Sequence, residues 1–530
     1  MQRNNSSDEK NHDTNASSSS CGIPRRTVLK GMLATGAMTC LGGLGMLATN
    51  ACSHGQSIPE RIQLFVNGTI YLDAERKASN LLVENGTVRA VDVAPERYSH
   101  AEIVDLKRGI AYPGFNDSHA HLLESGFFAF YGVNLSACDE TKPDFSGNLA
   151  DCIAGALRKY LDTYPETQII IGGGFYPRDY DAWSLEDLAK IDAATGNIPL
   201  FLGDKLGHNA LINTATIELA KLTPETPVPL GGKMVTQDGK LTGMLRESAM
   251  TLPWDVLAAR FDKGRIRDAT LKMLQVWAGF GYTSFVEMGG GVGVRFHFPD
   301  VLFDLERGGE LPLRTNYCYL IQKLSDVDAA AACRRTETDM VRFVGGKIFV
   351  DGAYAAGQAW TSWEHQQPDY YGLPEIWPDD RGGREYNLNR IVEKAESLGL
   401  NMHYHTQGDR AIDAVLNALD AVRAKTGGIL GIHCLIHLAF ITTEQMERIR
   451  GFQGRVVTTV QPAFWKEQSS TAYYYGDRAA AAYPIKQLMD TGVSVGFSTD
   501  FSYPLCNCRL SWPPWELHLR GQATRGIIRR

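Results

Sequence analysis

Tyr112-Pro113-Gly114-Phe115-Asn116-Asp117-Ser118-His119-Ala120-His121 is the stretch that decides how this chain folds. An apolar run, Ile110 to Phe115, leads into two histidines spaced i, i+2. On a β-strand that spacing turns both side chains to one face. Two imidazoles side by side at a strand end suit a borderline divalent metal such as zinc. Taken alone, a chance pair of surface histidines would read the same way. The company it keeps decides the matter. His405 lies in Asn401-Met402-His403-Tyr404-His405-Thr406, His437 closes Cys434-Leu435-Ile436-His437, and Asp500 closes Val493 to Thr499. Each stands at the C-terminal end of a strand-like run, where a (β/α)8 barrel carries its chemistry. His403 shares a strand face with His405 and competes with it as a ligand.

Working outward, the chain alternates strand-like and helix-like segments. Ile169–Gly172, Pro199–Leu202, Tyr282–Val286, Arg314–Tyr319 and Gly346–Val350 read as strands, while 149–160, 265–279 and 389–398 read as amphipathic helices. This alternation favours a parallel sheet with crossover helices. Before it, residues 58–111 alternate apolar and polar positions around Asn-Gly turns, the pattern of a short β-meander. Trp360 to Glu385, rich in Pro, Gly, Asp and aromatics, reads as a long surface loop placed as a candidate substrate lid. With 530 residues, 44% hydrophobic and 21% charged, the chain has the composition of an ordinary globular protein. Its net charge of −7 and lack of a basic stretch exclude nucleic acid as an expected partner.

The first 57 residues differ. Residues 1–20 are rich in Ser, Asn and Asp and read as disordered. Pro24-Arg25-Arg26-Thr27-Val28-Leu29-Lys30 precedes a Gly/Ala-rich apolar run from Gly31 to Ala48, which resembles a twin-arginine export signal. Cys52, after Thr49-Asn50-Ala51, is a candidate for lipid attachment, and plain cleavage is the competing outcome. Either places the mature protein outside the cytoplasm, periplasmic or membrane-anchored, with the twin-arginine machinery as a partner. Of ten cysteines, seven lie beyond the leader, too scattered to read as a disulfide framework. Cys506-Asn507-Cys508 reads as structural or incidental.

The ordered motifs resemble the amidohydrolase superfamily, in particular the branch called amidohydrolase family 3, or YtcJ-like. The resemblance runs from about Ile62 onward. It rests on Asn67-Gly68-Thr69-Ile70, Val83-Glu84-Asn85-Gly86, Pro113-Gly114-Phe115 with His119 and His121, Gly207-His208-Asn209-Ala210, Leu241 to Glu247, Gly346 to Ala353, Gly408 to Asp413 and Val460-Gln461-Pro462. It implies a (β/α)8 TIM-like barrel over 113–530 and a small N-terminal β-sandwich-type domain over 58–112, after a leader at 1–57. It implies His119, His121, His405, His437 and Asp500 as ligands of a divalent metal, zinc above others, as one or two ions. His405 is preferred to His403 because it directly precedes Thr406-Gln407-Gly408-Asp409-Arg410, which matches the branch motif. Lys347 would be carbamylated: burial depresses a lysine pKa, and the neutral amine reacts with carbon dioxide to give an anionic oxygen ligand. A charged lysine facing substrate is the alternative. Asp500 would also be the general base towards a metal-activated water. His208 would polarise the carbonyl or touch substrate, and Glu247 and Asp351 would orient ligands. Asp409 would do so too, or cap the following helix.

The expected activity is hydrolysis of a C–N bond in a small amide, formamide or cyclic amide. A deaminase or isomerase on the same metal site, or an inactive metal- or ligand-binding protein, are the alternatives. The departures from the family pattern are Ile436 in place of Glu, Tyr354-Ala355-Ala356-Gly357-Gln358 in place of Leu-Gly-Ser-Arg, and an end at Arg530 soon after Asp500. The last implies a barrel and small domain that are incomplete at the C-terminus, with exposed sheet edges.

Overall fold

A computed structural model describes residues 61–205, 207–229, 231–290, 299–335 and 337–501. The leader, Cys52, and the Cys506-Asn507-Cys508 segment lie outside those residues.

Eight parallel strands form the centre: β1 (Phe115–Ala120), β2 (Tyr282–Glu287), β3 (Arg314–Leu320), β4 (Val341–Phe349), β5 (Met402–Thr406), β6 (His433–His437), β7 (Val456–Val460) and β8 (Val495–Phe497). They pair in sequence order, β1 to β8. Hydrogen bonds bridge the first and last strands, so the ring is nearly closed. Asp500 N–H donates to His119 O at 2.9 Å, His121 N–H to Phe501 O at 2.9 Å, and Ser118 Oγ to Phe497 O at 2.9 Å. Helices such as Leu388–Ser397 and Asp409–Thr426 cover the outside, so that β6 is buried along its whole length. A strand such as β6, covered on both faces, reads as an apolar run rather than an alternating one. Helix starts follow the local chemistry: Thr442 and Gln445 form a capping box before Thr443–Gly451.

Two of the expected barrel strands belong elsewhere. Ile170–Phe175 and Leu200–Asp204 lie in a second, six-stranded mixed sheet inserted between β1 and β2. Its order is Lys233–Gln237, Lys240–Arg246, Asn209–Ile212, Leu200–Asp204, Ile170–Phe175, Val133–Asn134. This sheet has its own core, built on Val133, Ile153, Leu157, Phe175 and Leu202. A disulfide joins Cys138 to Cys152 on the helix Leu149–Thr163, with a Cα–Cα distance of 5.7 Å. The scattered cysteines therefore do contain one bridge, made by a 14-residue local loop.

The N-terminal unit is two small sheets rather than a meander. Ile62–Val66 pairs antiparallel with Leu81–Glu84 but parallel with Glu102–Asp105, and a three-stranded sheet lies apart from them. The Asn85-Gly86 turn has positive φ at both residues (50° and 77°), which suits a tight hairpin. Residues 360–385 form a long loop tied down at several points. Gly352 N–H donates to Leu373 O, Glu375 N–H to Val350 O, and Thr361 N–H to Tyr371 O.

Candidate metal-dependent active site

The ends of β1, β5, β6 and β8 bring five of the sequence-predicted residues together. His119 Nε2 and His121 Nε2 lie 3.0 and 3.4 Å from the same Asp500 oxygen, Oδ1. These three residues have ligand atoms within 4.8 Å of one another, close enough for one ion. His437 Nδ1 is 3.9 Å from Asp500 Oδ2, and its ring centre is 5.3 Å from that of His119 and 4.5 Å from that of His405. His405 is therefore the β5 histidine that joins the cluster. His403 shares its strand face but pairs in register with Lys347, and burial and the Lys347 charge push its pKa down to about 4.

Burial governs the charge of three of the four histidines, whereas at His121 it is outweighed by the hydrogen bond and charge of Asp500, which hold that imidazole above its usual range. Burial keeps His119 and His405 well below the usual histidine range and pushes His437 down to about 4, against the pull of Asp500 on each. Neutral imidazole is the form a metal binds. Burial would raise Asp500, but the neighbouring histidines, His119 first, outweigh it and hold the carboxyl well below its usual range. His437 and Asp500 both have positive φ, 76° and 51°. Non-glycine residues in that region cost on the order of 1–3 kcal/mol and cluster where function demands them.

Orientation comes from a surrounding set of hydrogen bonds. His437 Nδ1 lies 2.7 Å from Gln461 Oε1, and Gln461 Nε2 donates to Ser498 Oγ at 2.8 Å. His405 Nδ1 lies 3.2 Å from Asp351 Oδ1. Asp351 also accepts backbone N–H groups from Gln407, Gly408 and Trp360, although burial drives its carboxyl up to about 7. Asp117 accepts Thr499 N–H at 3.0 Å and Thr499 Oγ at 2.6 Å, which ties the start of the His-x-His stretch to the residue before Asp500. Asp409 neither caps its helix nor touches a ligand. It accepts from Ser362 N–H and Oγ, pinning the loop after β4, while the helix N-cap is Gly408.

Lys347 is fully buried on β4, and its Nζ has no hydrogen-bond partner. It lies 4.7 Å from the centre of the Phe349 ring. An unpaired buried ammonium is costly, and burial pushes this amine down to about 8. His208 comes from the inserted sheet, not from a barrel strand. Its ring centre is 6.5 Å from that of His405, and its Nδ1 is 2.7 Å from Glu247 Oε2. Burial alone would discharge it, but the Glu247 carboxylate outweighs burial and holds it above the usual range. Gln461, Asp117 and Glu375 are site residues that sequence reasoning gave no role. The first two sit inside quoted motifs, whereas Glu375 carries no sequence signal.

Comparison with known proteins agrees with the fold. The model of the amidohydrolase family matches residues 102–527. An N-substituted formamide deformylase of Arthrobacter pascens is 24% identical over 443 residues, covering 80% of this chain and 77% of the relative. The crystal structure of an uncharacterized metal-dependent hydrolase from Pyrococcus horikoshii superposes with a TM-score of 0.62 at 25% identity, over 83% of this chain and 82% of that one. One from Pyrococcus furiosus, 23% identical, has the same fold (TM-score 0.61, 83% and 85% covered).

Proposed function

Because the chain belongs to the amidohydrolase family and shares its fold with a metal-dependent hydrolase of Pyrococcus horikoshii, we propose that it hydrolyses a C–N bond in a small amide, formamide or cyclic amide. The observation that carries this reading is the convergence of His119, His121 and Asp500 on one point beside His405, His437 and a partnerless Lys347. The nitrogen-rich donor set and the orphaned buried amine suit one or two divalent ions, zinc above others, held by His119, His121, His405, His437 and Asp500 with Lys347 as its carbamate. When bound, such an ion lowers the pKa of water and polarises a carbonyl.

The chain's own groups supply the rest. Asp500, ionised, accepts the proton of the attacking water and returns it to the leaving nitrogen. His208, held by Glu247, donates a hydrogen bond to the substrate carbonyl oxygen. Gln461 and Asp351 fix the tautomers of His437 and His405. The formamide deformylase relative supports a C–N bond as the target. Export is part of the proposal. It is supported by the twin-arginine-like leader and by the Cys138–Cys152 bridge, since disulfides persist chiefly in oxidising compartments. Fusing residues 1–57 to a folded reporter tests this: retention in the cytoplasm would refute it.

The deciding experiment is metal content per chain, with native intact mass, on protein lacking residues 1–52, followed by an amide and formamide screen. Two ions and a carbamate-sized mass increment are expected. A folded protein without metal would overturn the reading.

A further inference from the structure

The supports of His208 reach beyond Glu247. Glu247 is 1% exposed and has φ of +48°, and its N–H donates to His208 O at 2.7 Å. Its backbone and one oxygen are thus committed to His208. Its other oxygen, Oε1, is sealed from solvent with no donor. The carboxyl of Glu375 meets Glu247 within hydrogen-bonding reach, and its Oε1 is likewise sealed with no donor. Glu375 arrives from the loop after β4, anchored by its N–H on Val350 O at 2.9 Å. Its carboxyl rests on the inserted sheet's approach at Gly231, where a Cβ would come within 3.0 Å of Oε2. The two carboxyls thus meet at the seam between the barrel and the inserted sheet.

Two carboxylates in contact and out of water cannot both stay charged, because like charges strongly disfavour the second ionisation. An ionised carboxylate is also an acceptor only, so two of them leave both oxygens without a donor. A single proton between them answers both needs.

We propose that Glu375 is a neutral carboxylic acid that donates its O–H to Glu247, and so is the positioning residue that locks the Glu247–His208 pair when the loop after β4 seats on the inserted sheet. This rests on the reading of His208 as the donor to the substrate carbonyl. Burial first, then the Glu247 charge, hold Glu375 far above the usual carboxylate range. The groups facing it are Glu247 and Asp351, with Tyr370 on its own loop. Beyond these, His208 lies behind Glu247 and Arg246 beside Tyr370. The net charge of Glu375, Glu247 and a protonated His208 is then zero. Ionisation of Glu375 as pH rises adds a negative charge against Glu247 and breaks the lock.

Infrared difference spectra of the metal-loaded protein, wild type against Glu375→Gln and Glu375→Leu, test this. The wild type should show one protonated-carboxyl band that both variants lack. Glu375→Gln, whose amide still donates to Glu247, should keep most of the wild-type kcat/KM and lose its fall as pH rises. Glu375→Leu should lose roughly 10–100-fold in kcat/KM, the usual effect of removing a supporting partner. A carboxyl band unchanged by Glu375→Gln, or a Leu variant with the wild-type pH profile, would overturn the proposal. A band lost as expected in a protein that turns over no amide would sustain the shared proton and overturn the hydrolase reading instead.

Discussion

Replacing Gln461 by Leu removes one side chain of similar size and two hydrogen bonds, at a position that is completely buried. Oε1 accepts from His437 Nδ1 and Nε2 donates to Ser498 Oγ, so Gln461 links the end of β6 to the segment leading into Asp500. With His437 Nδ1–H committed to Gln461, the lone pair of His437 is on Nε2. The leucine variant leaves the His437 N–H buried and unpaired, at a cost of about 1–3 kcal/mol. Ser498 Oγ still has Val460 O at 3.4 Å, so its loss is smaller, about 0.5–1.5 kcal/mol. The metal-free protein should therefore lose about 1.5–4.5 kcal/mol in denaturant unfolding, read from the midpoint at unchanged slope. Freed from its tautomer, His437 should bind metal roughly 10–100-fold more weakly, measured by chelator competition. Gln461→Glu keeps an acceptor for His437 Nδ1–H, while Ser498 Oγ can donate to the new carboxylate, and it should restore most of the metal affinity. A Leu variant with wild-type metal affinity would refute the tautomer argument. Equal losses in the Leu and Glu variants would refute the assignment of His437 as donor.

Other outcomes follow from the same geometry. Asp500→Asn should reduce kcat by roughly 10²–10⁴-fold, the usual contribution of a general base, while substrate affinity changes less; a binding protein would show no turnover to lose. Stability should fall as pH drops from about 6.5 to about 4, because His437 stays neutral in the fold down to about 4 whereas the unfolded chain takes up that proton near 6.5. Above about 7 this group contributes no further pH dependence, and His437→Gln should flatten the acid slope by one proton. Reducing the Cys138–Cys152 bridge, or Cys152→Ser, should cost about 3 kcal/mol for its short loop. An unfolding midpoint unchanged by reductant would show that the bridge does not form.

The strands before His405, His437 and Asp500 were legible because each of these residues ends a strand-like run at the catalytic end of a barrel, whereas Ile110–Ala111 of the run before His119 joins the small three-stranded sheet and the barrel strand is Phe115–Ala120. The same criterion misplaced Ile170–Phe175 and Leu200–Asp204. A buried strand reads as an apolar run in any covered sheet, and periodicity does not say which sheet it joins. His208 was legible as a residue but not as a visitor from the inserted sheet. Lys347 could be singled out only by resemblance, since nothing in its local sequence announces total burial. Gln461 and Glu375 were opaque for a different reason. Their partners are His437 and Ser498, and Glu247, which lie on other elements. The Cys138–Cys152 pair depends on a helix approaching a loop, which spacing alone does not fix.

The seam between β1 and β8 gives this protein a long wait during synthesis. Asp117 and Thr499, whose hydrogen bonds join the ends of the ring, are 382 residues apart. At roughly 5–20 residues per second, the His-x-His strand emerges tens of seconds before its closing neighbour exists. Throughout that interval β1 carries an unpaired edge, and the inserted sheet, complete by Arg246, can fold beside it. His119 and His121 therefore wait in the nascent chain, and their meeting with Asp500 is one of the last events of folding. A ribosome-stalled chain ending before Val495, which has its four histidines but not Asp500, should bind metal weakly, and one extended past Asp500 should hold it.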